Sequence, residues 1–218
     1  GGLSQFDGYR FINYTSDRED TARLHSNGCY DILERPNGTF WVALQGGIDR
    51  FDPKTRRFSR LRVRLGGQIQ PFDFDTRVLL PLSPDSMLIG TTTGLLLYTQ
   101  KNRQIEPFPK NQVFSAFVYD LRLDDQNKLW ISTYTNGLLV YDFGQDKLQH
   151  YMPRTDKPGQ RGFASILCTY QDNQGKIWAG TEQGLAQFDP SAGSFRFYKH
   201  HPDNPFSPPK GSVFELYE

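Results

Sequence analysis

A sequence motif that predicts two strands recurs along this chain and is most complete at residues 173–189, NQGKIWAGTEQGLAQFD. The second strand of the motif begins at a glycine, which is followed by an aliphatic residue, two variable positions and an aromatic residue. These glycines stand 43 to 47 residues apart, at Gly2, Gly47, Gly94, Gly137 and Gly184. A fixed period in this range is typical of repeat proteins that contain one supersecondary unit per repeat.

Each repeat has room for four strands. In the last full repeat, residues 165–170 are apolar and rich in β-branched side chains, and they end at a tight-turn sequence, residues 172–175 (DNQG). Further strands are predicted at 176–181, 185–189 and 194–198, and no window of the chain shows a sustained helical period. Four antiparallel strands in about 45 residues predict the blade of a β-propeller.

The predicted fold class is therefore all-β, a β-propeller fragment of four complete four-stranded antiparallel blades with partial blades at both ends. Residues 1–14 are the tail of one blade, and 212–218 are the first strand of another. The full blades are 28–62, 76–108, 117–151 and 164–198. The chain does not begin with methionine and shows no signal peptide, so we expect a fragment of a longer protein.

The motif D-x-x-G-x-[LI]-W-[IA]-[GS]-T-x-x-G-L-x-x-[FY]-D is matched closely by residues 125–142 and 172–189, and less fully by 37–52 and 85–98. This motif resembles the two-component regulator propeller repeat, and the resemblance extends from end to end of the chain. The family occurs in the periplasmic sensor regions of bacterial hybrid histidine kinases. The resemblance implies a periplasmic part of an inner-membrane protein, an oligosaccharide ligand and a dimeric parent.

Bulk properties exclude several classes of function. The formal net charge is +1, from 25 basic and 24 acidic residues, whereas binding to nucleic-acid phosphates needs a basic surface. No apolar run approaches the ~20 residues of a membrane span, so we expect no membrane contact by this fragment. The four histidines, His25, His150, His200 and His201, do not have the spacing of a metal site. We predict no metal, no cofactor and no catalytic residues, and hence no enzyme.

The two faces of a propeller predict where a ligand binds. Turns between strands one and two and between strands three and four are short and stereotyped; their side is called the turn face. Turns between strands two and three, and the connectors between blades, differ from blade to blade and form the variable face. Binding residues tend to lie on variable loops held by a rigid scaffold. The ligand-binding prediction is Gln45, Tyr134, Asn136, Arg161, Glu182 and Gln183.

Residues that repeat have structural interpretations. Trp41, Trp130 and Trp178 are expected to pack between blades, and Asp52, Asp142 and Asp189 to accept backbone hydrogen bonds in the following turn. One first-strand position is acidic in three of five repeats, at Asp31, Asp120 and Glu215, with Val78 and Cys168 in the others. First strands line the channel, so these acids could bind a cation or polar ligand, or simply point to water.

Three functions remain open. The first is an extracytoplasmic sensor of a two-component signalling protein. The second is a scaffold that supports dimer contacts while the ligand site lies elsewhere in the parent. The third, a propeller lyase or hydrolase, needs clustered acids or histidines on the variable face, and these are not visible in the sequence.

Overall fold

A computed structural model describes residues 1–17, 19–153, 165–208 and 210–217. Twenty strands form in this part of the chain, which contains no helix long and apolar enough to cross a bilayer. The strands are β1 (Leu3–Phe6), β2 (Phe11–Tyr14), β3 (Cys29–Glu34), β4 (Phe40–Leu44), β5 (Gly47–Asp52), β6 (Arg57–Arg60), β7 (Arg62–Leu65), β8 (Gln68–Pro71), β9 (Thr76–Pro81), β10 (Ser86–Thr91), β11 (Leu95–Thr99), β12 (Gln104–Pro107), β13 (Phe117–Leu123), β14 (Lys128–Tyr134), β15 (Leu138–Asp142), β16 (Lys147–Tyr151), β17 (Ile166–Gln171), β18 (Ile177–Thr181), β19 (Gly184–Asp189) and β20 (Ser194–Tyr198).

The strands form four antiparallel blades, which confirms the predicted β-propeller fold class. Blade 1 is β3–β6, blade 2 is β9–β12, blade 3 is β13–β16 and blade 4 is β17–β20, each paired in sequence order. β1 and β2 form a separate two-stranded sheet. The chain divides into two compact units, Gly1–Val113 and Phe114–Glu218, so each unit contains two complete blades.

Hydrogen bonds within the motif explain why its residues recur in several blades. The Asp172 carboxylate accepts the backbone N–H groups of Gln174 and Lys176, and its Oδ2 accepts the Trp178 indole N–H at 2.8 Å. Asp124 does the same for Trp130 at 2.9 Å. The motif's aspartate therefore closes the turn between strands one and two and orients the tryptophan, as expected for an Asx turn.

A buried threonine closes the turn between strands two and three. Thr91, Thr133 and Thr181 are fully buried, and each hydroxyl donates to the carbonyl oxygen of the following motif glycine at 2.7 to 2.8 Å. Buried hydroxyls need such partners. The threonine and glycine of the motif are thus explained by the turn alone.

The prediction for the repeated aspartates is confirmed, and so is the packing of Trp41 and Trp130 between blades, whereas the Trp178 ring contacts Tyr198 of its own blade. Oδ1 of each aspartate accepts backbone N–H groups of the following turn, at Asp52, Asp142 and Asp189. Trp41 packs on Tyr98 of blade 2, with ring centroids 5.6 Å apart, and Trp130 packs on Phe188 of blade 4 at 5.8 Å. These aromatic contacts join neighbouring blades within each unit.

Two segments differ from the predicted organisation. The connector 63–75 contains a β-hairpin, β7 and β8, and β7 pairs in parallel with the outer strand β12, which extends the sheet of blade 2 to six strands. Residues 212–217, predicted as a first strand, are not a regular strand; Val213 nevertheless donates its backbone N–H to the Thr181 carbonyl oxygen at 2.9 Å.

Candidate functional site

Three aromatic side chains meet at the variable face of blade 3. Phe117 opens β13 and pairs with Tyr134, the last residue of β14, so both lie at the end of the hairpin away from the turn face. The Phe117 and Tyr119 rings stack with centroids 4.6 Å apart, and the Tyr134 ring lies 6.2 Å and 6.1 Å from them. We call Phe117, Tyr119 and Tyr134 the blade 3 aromatic cluster. Tyr134 is 40% exposed.

The turn that follows Tyr134 adds polar groups beside the cluster. Thr135 has a positive φ of 68°, and its hydroxyl lies 3.3 Å from the Asn136 side-chain oxygen. The Asn136 carbonyl oxygen lies 2.6 Å from Nε2 of His150 on the outer strand. The structure therefore places the predicted residue Tyr134 beside two aromatic residues that the sequence analysis did not select, and the predicted Asn136 lies two residues further along the same turn.

Gln45 lies at the variable face of blade 1. Its backbone N–H donates to the Gly28 carbonyl oxygen at 2.8 Å, and the Arg77 guanidinium lies 3.7 Å from the centroid of the nearby Tyr30 ring. A side chain at Gly28 would come within 3.2 Å of the Gln45 side-chain oxygen. Gln45 is exposed and belongs to the first compact unit, whereas the blade 3 aromatic cluster belongs to the second.

Glu182 and Gln183 form the corresponding turn of blade 4. The Gln183 backbone N–H donates to the Thr181 hydroxyl at 3.2 Å, and the Glu182 carbonyl oxygen accepts the Ser212 hydroxyl at 3.2 Å. The Gln183 side chain is exposed, and that of Glu182 is half-buried. Arg161, also predicted to bind ligand, lies outside the described residues.

The predicted acidic positions Asp31 and Asp120 accept hydrogen bonds across blades. Asp31 Oδ2 accepts the backbone N–H of Leu79 in blade 2 at 2.8 Å. Asp120 Oδ2 accepts the backbone N–H of Thr169 in blade 4 at 3.0 Å. Both aspartates follow a β-bulge in the first strand, which re-aims the side chain towards the next blade. We call these two bonds the interblade carboxylate links.

The environment of Asp31 is only partly favourable to its charge. Burial raises the pKa of the Asp31 carboxyl above its ordinary value, although hydrogen bonds from the backbone N–H groups of Leu79 and Ile32 act in the opposite direction. The cost of removing the carboxylate from water therefore exceeds the gain from two good donors. A carboxylate so placed is suited to joining neighbouring blades.

The last two positions of the acidic set differ from Asp31 and Asp120. Cys168 takes the place of the aspartate in blade 4, and its Sγ lies 3.7 Å from the Val213 carbonyl oxygen. Burial, and to a smaller extent the charge of Asp120, raises the pKa of the Cys168 thiol to about 12. Glu215 is exposed. Within the described ranges, no group of three or more His, Cys, Asp or Glu residues could hold a metal ion.

Comparison with known protein families identifies the repeat. Residues 162–183, which include the Asp172–Trp178 turn described above, match the family model described as two component regulator propeller. One segment of the chain therefore matches a two component regulator propeller repeat.

Solved structures similar to this chain include two extracellular domains from B. thetaiotaomicron. One is described as part of a hybrid two component system, with a TM-score of 0.71 and 19% identity over 95% of this chain and 26% of that chain. The other is described as part of a one component system, with a TM-score of 0.65 and 23% identity over 85% of this chain and 24% of that chain. This chain thus spans about a quarter of the length of either.

More distant neighbours share the propeller fold alone. A streptogramin B lyase has a TM-score of 0.51 and 12% identity over 83% of this chain and 57% of that chain. At such identity the likeness shows the fold and no common chemistry. No curated protein matches the chain by sequence.

Proposed function

We propose that this chain is part of the periplasmic sensor propeller of a membrane-bound two-component signalling protein, a hybrid histidine kinase, and that it responds to oligosaccharides. The observation that supports the signalling role is the regulator propeller repeat at residues 162–183. The extracytoplasmic location is supported by the likeness to two extracellular domains.

The blade 3 aromatic cluster supports a carbohydrate ligand. A sugar ring presents an apolar face of C–H groups and a polar edge, and exposed aromatic rings flanked by hydrogen-bonding groups complement both. Tyr134 offers an exposed ring, and Asn136 lies two residues further along the same turn, on the variable face. The cluster is thus equipped to stack one sugar unit and to bond its hydroxyl groups.

Isothermal titration with a panel of neutral oligosaccharides tests this proposal. We expect at least one to bind, and Tyr134→Ala to weaken its binding by about tenfold, which corresponds to about 1.4 kcal/mol. Tyr9→Ala is the matched control, because Tyr9 is 96% exposed but lies in the β1–β2 turn, on the turn face. Absence of binding across the panel, or equal binding by the Tyr134→Ala variant, would contradict the proposal.

A second candidate function is a scaffold that self-associates, and exposed aromatic residues on the β1–β2 sheet favour it. Phe6 and Phe11 are 57% and 67% exposed, with ring centroids 4.9 Å apart, on a two-stranded sheet with open edges. Exposed apolar patches and free strand edges promote association. Light scattering of the chain should then show a dimer that Phe11→Ser disrupts and Phe206→Ser, at a 95% exposed residue, leaves intact. A monomer at all concentrations would remove this candidate.

A further inference from the structure

A groove on the turn face joins blades 1 and 2 and differs in charge from the rest of the repeat. It has a volume of about 540 Å³, and its lining includes three arginines. Arg35 follows β3, Arg50 lies on β5 and Arg57 opens β6. The groove belongs wholly to the first compact unit and lies at the opposite face of the blades from the residues predicted to bind oligosaccharide.

Two of the arginines lie against one buried tryptophan. The guanidinium carbon of Arg50 lies 4.7 Å from the centroid of a ring of Trp41, and that of Arg35 lies 5.5 Å from it. Trp41 is only 3% exposed and packs on Tyr98, so the aromatic floor is rigid. Stacking on an aromatic ring holds a guanidinium in one plane and leaves its edge N–H groups to bind an acceptor.

In the part of the chain that the structure describes, none of these three arginines forms an ion pair with a carboxylate. The ion pairs found in the described residues use other arginines and lysines. Arg50 Nε is buried without a hydrogen-bond partner, and its Nη2 reaches only the Tyr98 hydroxyl at 3.4 Å. Of the two aspartates in the lining, Asp52 already accepts the backbone N–H groups of Lys54 and Thr55 with one oxygen.

Arg35 is fixed in position but not neutralised. It is 8% exposed, and its Nη2 donates to the Pro84 carbonyl oxygen of blade 2 at 2.5 Å. Burial lowers the pKa of the Arg50 guanidinium, and the positive charges of Arg103 and Arg35 act in the same direction, while Tyr98 opposes them. The site therefore concentrates positive charge at a cost that a bound anion would relieve.

Comparison of the repeats shows that this charge replaces a different arrangement. Six residues before the tryptophan, blades 3 and 4 have Asp124 and Asp172, which accept the indole N–H; blade 1 has Arg35. Opposite the tryptophan on the third strand, blades 3 and 4 have Val140 and Gln187, and blade 1 has Arg50. Two positions beside the tryptophan, one acidic and one uncharged in blades 3 and 4, are therefore both arginine in blade 1.

We propose that the groove formed by Arg35, Arg50 and Arg57 over Trp41 is a binding site for an oxyanion, the carboxylate, sulfate or phosphate group of a ligand. Guanidinium groups bind such anions through paired N–H donors. This site goes beyond the proposed oligosaccharide site, because it belongs to the other compact unit, lies on the turn face of its own blades and selects for negative charge.

Titration calorimetry at constant ionic strength, balanced with sodium chloride, tests the site with sodium sulfate, sodium phosphate, sodium glucuronate and glucose. Constant ionic strength removes general screening as an explanation. We expect at least one anion to bind at the groove, whereas any binding of glucose, a neutral sugar, should be unchanged by the substitutions Arg50→Gln and Arg35→Gln. Binding of glucuronate would identify a carboxylate-bearing ligand, and binding of sulfate or phosphate alone a tetrahedral anion.

Variants connect the binding to the groove. Arg50→Gln and Arg35→Gln should each weaken anion binding by at least about tenfold, as expected for loss of a charge-assisted hydrogen bond. Arg196→Gln is the matched control, because Arg196 also lies over an aromatic ring, 5.4 Å from the Tyr198 centroid, but outside the groove. Circular dichroism establishes that each variant is folded.

Two results would overturn the proposal. One is the absence of anion binding by the folded wild-type chain, and the other is equal binding by the Arg50→Gln and Arg35→Gln variants. Neither result bears on the blade 3 aromatic cluster, since Tyr134→Ala should leave anion binding unchanged. The failure of one site is therefore distinguishable from the failure of the other.

Discussion

The link between Asp31 and Leu79 gives the sharpest prediction of stability. Asp31→Ala removes the acceptor of the Leu79 backbone N–H, and Leu79 is only 5% exposed, so water cannot replace the lost partner fully. A buried donor without a partner costs about 1–3 kcal/mol. Removal of a partly buried charge offsets some of this cost, because burial already disfavours the carboxylate.

We therefore expect Asp31→Ala to lower the free energy of unfolding by about 1–2 kcal/mol, or Tm by about 2–8 °C for a chain of this length. Asp31→Asn is the matched variant: its amide oxygen can still accept the N–H, and it avoids burial of a charge. At neutral pH it should stay within about 0.5 kcal/mol of wild type.

The pH dependence gives a second check on the same residue. Since the pKa of folded Asp31 lies above its ordinary value of 3.8, protonation favours the folded state. The stability of wild type relative to Asp31→Asn should be greatest below pH 3.8 and should fall as the pH rises through the folded pKa. The difference between the two proteins cancels the titration of the other carboxyls.

Urea unfolding of wild type and both variants from pH 3.5 to 7 measures these quantities. Equal stability of wild type and Asp31→Ala at pH 7 would show that the carboxylate does not join the blades. A wild-type advantage over Asp31→Asn that grows with pH would refute the argument that burial outweighs the two hydrogen bonds.

Two further predictions concern buried polar groups. Thr181→Val should lower the free energy of unfolding in urea by about 1–2 kcal/mol, because it removes the hydroxyl that donates to the Gly184 carbonyl oxygen. Thr169→Val should be neutral or stabilising, because the Thr169 hydroxyl is buried without a hydrogen-bond partner. Similar losses of stability in both variants would contradict this prediction. In a Cys29→Ser variant at pH 8, Cys168 should react with iodoacetamide at least about 100-fold more slowly in the native chain than in the urea-unfolded chain. The reason is that the raised pKa of the Cys168 thiol leaves little thiolate and that its side chain is buried. Comparable rates in the two states, followed by mass spectrometry, would refute this prediction.

The repeat predicted the fold because its residues act locally. The aspartate that accepts the Trp178 indole N–H and the threonine that closes the next turn bond to groups within six residues of themselves. Such bonds leave a periodic trace in the sequence. The hairpin β7–β8 is also visible in the sequence. Polar and apolar residues alternate along Arg62–Leu65, and Gly66 and Gly67, both with positive φ, then form a tight hairpin turn. The position of this segment between two blades predicts a connector, and the structure shows that the connector itself contains two strands.

The sites were less predictable because they depend on neighbours that are distant in sequence. Asp31 bonds to a backbone group 48 residues away, and nothing local distinguishes it from an acid that points to water. The blade 3 aromatic cluster joins Tyr134 to Phe117, which a strand pairing brings together. Arg35 and Arg50 could have been found from the repeat itself, because each replaces the residue type of blades 3 and 4 beside the same tryptophan.

The interblade carboxylate links have a consequence for how such a chain can diverge. Each carboxylate accepts a main-chain N–H, which every residue except proline possesses. The two receiving residues, Leu79 and Thr169, share neither polarity nor shape, and yet both donate at 2.8 to 3.0 Å. The donor side of each interblade carboxylate link therefore depends very little on which side chain the donor residue carries. Neighbouring blades can lose their resemblance to one another, exchange whole loops and acquire separate ligands while the spacing between them is preserved.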